Sequence, residues 1–155
     1  MATEIERKFL VDNELWREQV VSEATIKQGY LCRRENATIR VRIAGEMAWF
    51  NIKSATHGIS RLEYEYPIPL ADAEGLLAQV AEQPFIDKIR YKVRQGAHIW
   101  DLDVFRGQNL GLVVAEVELT KEDETFEMPA WAGREVSGDP RYYNANLVKL
   151  PYCEW

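Results

Sequence analysis

Two glutamates and a lysine alternate with other residues near the start of the chain, within Thr3–Lys8 (TEIERK). In an extended strand, side chains repeat with a period of two, so Glu4, Glu6 and Lys8 would share one face. Carboxylates are hard oxygen ligands of the kind that Mg²⁺ or Mn²⁺ prefers, and an ammonium group binds phosphate oxygens. The pattern is equally typical of the solvated side of an edge strand. The motif alone therefore leaves both a metal–phosphate site and an ordinary strand open.

The same alternation returns in later segments, and there the charges are sorted by sign. Solvated strand faces usually mix acids and bases, because like charges on neighbouring residues repel. If this face pointed inward, a bound polyanion with divalent cations would offset the cost of burying the charges. The basic positions are Arg40, Arg42, Lys53, Lys88, Arg90, Lys92 and Arg94. The acidic positions are Glu4, Glu6, Asp101, Asp103, Glu116 and Glu118.

The segments that carry these residues predict an antiparallel sheet, because polar and apolar residues alternate between turn signals. Strands are predicted at 3–11, 25–31, 38–43, 48–53, 60–66, 87–94, 100–104 and 113–119. Helices are predicted at 12–24, 69–82 and 140–148, and the charge run at 121–124 is predicted to begin another. Alternation does not say which face is inside. The sheet either shows its charges to water or closes into an eight-stranded barrel with room for one small ligand.

Bulk properties exclude several classes of function. A chain of 155 residues fits one domain, here 1–155, with a sizeable core. A net charge of −6 argues against broad electrostatic binding of nucleic acid. Cys32 and Cys153 have no neighbours at zinc-ligand spacing. Without a signal-peptide pattern or an apolar run that could cross a bilayer, we expect a cytoplasmic protein with no membrane partner.

An ordered series of motifs runs along nearly the whole chain. It starts with Glu4-x-Glu6-x-Lys8 and ends with EVSGDPRYYNANL at 135–147. Between them lie IKQGYL at 26–31, Arg40-x-Arg42, Ile52-Lys53, Arg61-x-Glu63-x-Glu65, Lys88-x-Arg90, Asp103 within WDLDVF, Gly111-Leu112 and AEVE at 115–118. The series resembles the CYTH superfamily, the triphosphate tunnel metalloenzymes. The resemblance implies an α+β fold, in which an eight-stranded antiparallel β-barrel forms a tunnel with surrounding helices and inward charges.

The resemblance also implies roles for individual residues, with Mg²⁺ or Mn²⁺ as the cofactor. The implied metal ligands, or holders of the metal's waters, are Glu4, Glu6, Asp103, Glu116 and Glu118. The implied triphosphate ligands are Lys8, Arg40, Arg42, Lys53, Arg61, Lys88 and Arg90. Glu6, Lys88 and Glu63 are the implied catalytic residues. Whether Glu63, Glu65 and Asp103 serve a second metal or orient bases stays open. Lys92 and Arg94 are additional cations that depart from the family pattern. They either lie at a tunnel mouth or are simply exposed.

The expected function is metal-dependent hydrolysis of inorganic triphosphate to pyrophosphate and phosphate. The same site would also serve a class IV adenylate cyclase, a thiamine or nucleoside triphosphatase, or a non-catalytic sensor of ATP or polyphosphate. The expected partner is therefore a triphosphate, and a homodimer is left open. The sequence does not decide between Mg²⁺ and Mn²⁺, because both accept oxygen ligands.

Overall fold

A computed structural model describes residues 2–155. The helices are α1 (Leu70–Gln79) and α2 (Asn144–Lys149), with short 3₁₀ segments at Leu15–Gln19, Gly107–Asn109, Pro140–Tyr142 and Tyr152–Glu154. The strands are β1 (Ala2–Val11), β2 (Val20–Arg34), β3 (Ala37–Ala44), β4 (Met47–Ser54), β5 (Ser60–Ile68), β6 (Ile86–Gln95), β7 (His98–Phe105), β8 (Val113–Glu118) and β9 (Ala132–Glu135).

Strand β1 closes the sheet into a barrel. Its first half, Ala2–Ile5, pairs with β5, and its second half, Glu6–Leu10, pairs with β8. The ring then runs β1-β5-β4-β3-β2-β6-β7-β8, with every pairing antiparallel. The short β9 adds to the end of β1 at Phe9 and Val11. The predicted eight-stranded antiparallel barrel is confirmed.

The register explains why the charged residues lie together. Residues directly opposite each other on paired strands share a face, and a shift of one residue would turn each side chain over. Lys8 lies opposite Glu116, which in turn lies opposite Asp101 on β7. Arg90 on β6 lies opposite Asp103. The charged face of each strand therefore points into the barrel, where these strands line one cavity.

The outer, apolar face is covered in two separate places. Helix α1 lies across β3 and β4, where Ala73 and Leu77 pack on Val41 and Ala48. Gly29 of β2 permits this close approach, because a Cβ there would lie 2.7 Å from the Cβ of Ala81. The second cluster lies outside β1, β6, β7 and β8, and its buried members are Phe9, Trp16, Val93, Trp100, Leu102, Ala115, Val117, Leu119 and Trp131.

The end of the chain packs into the barrel interior rather than onto its outside. Leu147 of α2 is fully buried in a cluster with Ile86, Phe105 and Val114. By register these three strand residues share the inner face with Gln28, Lys88 and Asp103. An apolar plug therefore fills part of the barrel next to the charged cavity.

The predicted helix at 12–24 is wrong. Only Leu15–Gln19 forms a 3₁₀ turn, and Val20 already begins the long strand β2. The apolar residues that suggested a helical stripe belong to two different elements. Trp16 is buried with its ring 4.9 Å from that of Tyr91, while Val20 and Val21 are β-branched strand residues.

Three smaller expectations also differ from the structure. The charge run at 121–124 does not begin a helix, and β9 was not predicted. The expected helix at 140–148 is divided into a 3₁₀ turn and α2, although Asp139 does accept a hydrogen bond from the Arg141 backbone as a capping residue. Helices surround the barrel less than expected. Leu62, Tyr64 and Tyr66 on the outer face of β5 are exposed.

Candidate active site

The barrel encloses a cavity of about 520 Å³ that is lined by charged side chains from eight strands, β1 to β8. The acidic lining residues on strands are Glu4, Glu6, Glu63, Asp101, Glu116 and Glu118. The basic ones that project from strands are Lys8, Arg34, Arg40, Arg42, Lys53, Arg61, Lys88, Arg90 and Lys92. Such a space matches a small, highly charged ligand rather than an apolar one.

Glu6 and Glu118 form the least compensated part of the acidic wall. They lie directly opposite each other on β1 and β8. Burial, together with the charges of Glu116 and Glu4, raises the pKa of Glu6 to about 8. Burial also raises the pKa of Glu118, with Glu4 and Asp101 adding to the effect. Carboxylates whose surroundings disfavour their charged form in this way favour a cation beside them.

Glu116 has a different environment, because cations surround it. Its carboxylate lies 3.2 Å from the Lys8 ammonium and 4.0 Å from the Arg90 guanidinium. Burial opposes ionisation, but the charges of Lys8 and Arg90 outweigh it and hold the pKa of Glu116 well below its usual value. Glu116 is therefore ionised and joins the acidic wall to the basic one.

Asp103 organises two of the cations. It is fully buried, and its carboxylate accepts hydrogen bonds from Lys88 Nζ at 2.7 Å and from Arg90 Nε and Nη2 at 2.8 Å. Burial opposes the charge on Asp103, but Arg90 and Lys88 outweigh it and lower the pKa of this carboxyl. Burial lowers the pKa of Lys88 to about 7 even with Asp103 beside it. Lys88 can therefore exchange a proton near neutral pH.

A second network links β1, β4 and β5. Glu4 accepts from Lys53 Nζ at 3.1 Å and from Arg61 Nε at 2.7 Å, while Lys53 also lies 3.1 Å from Glu63. Burial, followed by the charges of Arg40 and Arg61, lowers the pKa of Lys53 to about 8. Both carboxylates thus hold Lys53 in place against the strand wall.

Arg40 and Arg42 on β3 make no ion pair with any carboxylate of residues 2–155. Each is instead bonded to a neutral amide, Arg40 to Asn51 and Arg42 to Gln28, both at 3.3 Å. Burial, followed by the charges of Arg40 and Arg90, lowers the pKa of Arg42 to about 9. This part of the wall therefore carries uncompensated positive charge.

The family model of the CYTH domain matches residues 2–143. The chain belongs to the CYTH domain family. The match begins at the first residue that the structure describes and extends through the 3₁₀ turn that precedes α2. Every strand of the CYTH barrel in this chain lies within it.

Two curated relatives match this chain over almost its entire length and over almost their own. An inorganic triphosphatase of Acetivibrio thermocellus is 43% identical over 152 residues, covering 98% of this chain and 97% of that protein. An inorganic triphosphatase of Nitrosomonas europaea is 38% identical over 155 residues, covering 94% and 97%. The likeness to the first of these relatives therefore includes both the β1 motif and the C-terminal segment.

Solved structures support the same assignment. A crystal structure of an inorganic triphosphatase superposes with a TM-score of 0.66 at 35% identity, over 96% of this chain and 95% of that one. The PH1012 protein of Pyrococcus horikoshii OT3 has a TM-score of 0.59 at 16% identity, over 77% and 80%. At that identity the second likeness shows the fold alone.

The structure brings most of the sequence-predicted site residues of this CYTH barrel to one cavity. Glu4, Glu6, Lys8, Arg40, Arg42, Lys53, Arg61, Glu63, Lys88, Arg90, Glu116 and Glu118 all line it. Asp103 does not line the cavity, because it lies behind Lys88 and Arg90. Glu65 faces an adjoining cavity of about 200 Å³, which also includes Trp49 and shares Arg42 with the main cavity. Lys92 and Arg94 are both exposed, but only Lys92 lines the cavities, and it lines both of them.

Several uncharged groups of the site do not stand out in the sequence. Tyr30 and Asn144 line the cavity, and Asn144 Oδ1 lies 3.3 Å from Lys88 Nζ. The carbonyl oxygen of Tyr142 accepts from Lys8 Nζ at 3.2 Å. Gln28 and Asn51 contact the arginines of β3. The only sign of these amides in the sequence is their place in the alternation of each strand, which puts them on the same face of the sheet as the charged residues of the adjacent strands.

Proposed function

We propose that this CYTH protein is a divalent-metal-dependent hydrolase that cleaves inorganic triphosphate into pyrophosphate and phosphate inside its barrel. The observation that carries the proposal is the sorted interior, in which Glu6 and Glu118 have raised pKa values on one wall and Arg40 and Arg42 are uncompensated on another. The names of its two curated relatives, both inorganic triphosphatases, support the same substrate. We further propose that it acts in the cytoplasm as one domain spanning 1–155.

The carboxylates fit a divalent cation in donor chemistry, although no cluster of three potential metal ligands is preformed among residues 2–155. Glu6 and Glu118 supply hard oxygen atoms and have raised pKa values that a cation would relieve. Glu4 and Glu116 already contact cations, so they suit a supporting position. When bound, Mg²⁺ or Mn²⁺ would neutralise phosphate charge and orient a water for attack. The choice between these metals is not made by this donor set.

The basic residues would bind and orient the triphosphate. Arg40 and Arg42 offer free guanidinium N–H groups, and Lys8, Arg61 and Arg90 add charge around the chain of phosphates. Phosphoryl transfer depends chiefly on positioning and on charge placed around the equatorial oxygens, which such a wall supplies.

Lys88 is suited to act on the leaving diphosphate. Its pKa of about 7 allows the ammonium group to stabilise the developing charge and to give up a proton to it. Asp103 would hold Lys88 and Arg90 in orientation, which favours the positioning role for this acid over that of a metal ligand. The contact of Glu63 with Lys53 favours the same kind of role.

A substrate panel tests the proposal. Purified protein is assayed for phosphate release from tripolyphosphate, ATP and thiamine triphosphate, each with Mg²⁺ and with Mn²⁺, and cyclic AMP is measured in the ATP reactions. We expect kcat/KM to be highest for tripolyphosphate. A tenfold preference for an organic triphosphate, or formation of cyclic AMP, would contradict it. Tight binding of tripolyphosphate without turnover would instead indicate a sensor.

The panel is repeated with Glu6→Gln, which keeps the side-chain size and removes the charge. We expect the variant to fold and to lose about 100-fold or more in turnover, because the metal-facing carboxylate is gone. Glu18→Gln is the matched control, since Glu18 is exposed on the 3₁₀ turn and does not line the cavity. Full activity in Glu6→Gln would remove Glu6 from the site.

A further inference from the structure

The tunnel cations are held in two different ways. Lys8, Lys53, Lys88 and Arg90 each lie within 3.2 Å of at least one carboxylate oxygen. Arg61 and Lys92 are paired with acids as well. Apart from the exposed Arg34 at the cavity edge, the exceptions among the described lining residues are Arg40 and Arg42. Each of these two donates its Nε to the oxygen of a buried carboxamide.

The amides are fixed by strand pairing. Asn51 lies directly opposite Arg40 and directly opposite Glu65 on its other side. Its Nδ2 donates to Glu65 Oε2 at 2.6 Å, so its Oδ1 must face Arg40. Gln28 lies directly opposite Arg42, and its Oε1 accepts from that arginine. Both amide residues are fully buried, so neither side chain is free to swing away.

A carboxamide oxygen differs from a carboxylate in one important respect. It orients a guanidinium through a hydrogen bond but leaves the full positive charge in place. The remaining N–H groups stay available, and Arg40 Nη2 is buried without a hydrogen-bond partner in the described chain, as is Gln28 Nε2. Buried donors without acceptors are costly, so this point of the wall suits an incoming anion.

We propose that Gln28 and Asn51 are positioning residues that aim Arg40 and Arg42 at the substrate without neutralising them. The β3 arginine pair is then the net positive pole of the tunnel, where the phosphate oxygens that the metal does not contact would bind. The inference rests on the proposed function, because it assigns part of the triphosphate grip. It predicts that the neutrality of the amide matters as much as its shape.

Gln28→Glu tests this directly, because it preserves size and acceptor but places a carboxylate against Arg42. We expect the KM for tripolyphosphate to rise about tenfold or more, with a smaller change in kcat. Gln28→Met removes the acceptor but keeps the arginine charge, so its KM should lie between those of the wild type and Gln28→Glu. Gln19→Glu makes the same substitution at an exposed position and controls for net charge.

Affinity for pyrophosphate without metal, measured by calorimetry at several salt concentrations, is the second readout. Gln28→Glu should bind this anion more weakly and with a shallower salt dependence, because one uncompensated charge is lost. If the wild type binds pyrophosphate but does not hydrolyse tripolyphosphate, the proposed function fails and the arginine inference survives. If Gln28→Glu matches the wild type, or has a lower KM than Gln28→Met, the inference is overturned. It is also overturned if the wild type binds neither anion.

Discussion

At the scale of single residues, the site is defined by which charges are compensated and which are not. Asp103 neutralises Lys88 and Arg90 from behind, Glu4 holds Lys53 and Arg61, and amides hold the β3 arginines. Buried ion pairs often contribute little net stability compared with apolar residues, but breaking one leaves a charge without a partner. The pairs in this tunnel are therefore best understood as devices that orient cations.

Asp103→Asn separates this orienting role from simple packing. The variant keeps the volume but leaves Lys88 and Arg90 without their shared carboxylate. We expect unfolding free energy to fall by about 3–5 kcal/mol, as for other broken buried pairs, and turnover to fall about 100-fold. Denaturant unfolding and phosphate release measure the two effects.

Asp101→Asn is the control for that experiment. Asp101 contacts Arg90 at 3.2 Å and Lys92 at 2.5 Å, but its side chain is 25% exposed and that of Lys92 is 46% exposed. Ion pairs that are open to solvent typically contribute at most about 1 kcal/mol to stability. Asp101→Asn should therefore lose much less unfolding free energy and turnover than Asp103→Asn. Equal losses in both variants would mean that Asp103 has no special role in orienting Lys88.

At the scale of elements, alternation in the sequence predicts most of the barrel. The β3–β4 hairpin around Gly45 and the charged faces of β1, β6 and β8 follow from a period of two and from turn chemistry. The start of β2 does not, because Val20–Ala24 alternates weakly and follows a capping pattern typical of a helix. The amides Gln28 and Asn51 also escape prediction, since a charge pattern contains no sign of neutral residues that orient charged ones.

The contact between α1 and β2 depends on a glycine, and a pair of substitutions tests it. In Gly29→Ala the new Cβ would meet Ala81 Cβ at 2.7 Å and Leu77 Cδ2 at 2.9 Å. We expect a loss of about 1–3 kcal/mol in unfolding free energy, because the helix must shift outward. Thermal and denaturant unfolding provide the measurement.

Gly75→Ala in the middle of α1 is the matched substitution, because nothing lies within 4 Å of its Cβ position. Alanine there should stabilise the protein by about 0.5–1 kcal/mol through its better helix propensity. Opposite signs for the two glycines would support the close packing of α1 on β2. A neutral Gly29→Ala would show that the helix can move without cost.

At the scale of the whole molecule, both ends of the chain build the site. Strand β1 carries Glu4, Glu6 and Lys8 and also closes the barrel between β5 and β8. The C-terminal segment fills part of the interior and contacts Lys8 and Lys88 through Tyr142 and Asn144. Because these contacts are far apart in sequence, the site can form only when the entire barrel has formed.

None of the helices in residues 2–155 is long and apolar enough to cross a membrane.

Leu147→Ala tests whether the interior plug supports the site as well as the fold. Leu147 is fully buried, so its truncation should cost about 2–5 kcal/mol in unfolding free energy. We also expect turnover at a temperature well below the melting point to fall several-fold, because α2 positions Asn144 beside Lys88. Leu150→Ala, at a side chain that is 48% exposed, should change stability by less than about 0.5 kcal/mol and leave turnover intact. A Leu147→Ala protein that is less stable but fully active would restrict the C-terminal segment to holding the barrel together, with Lys88 oriented by Asp103 alone.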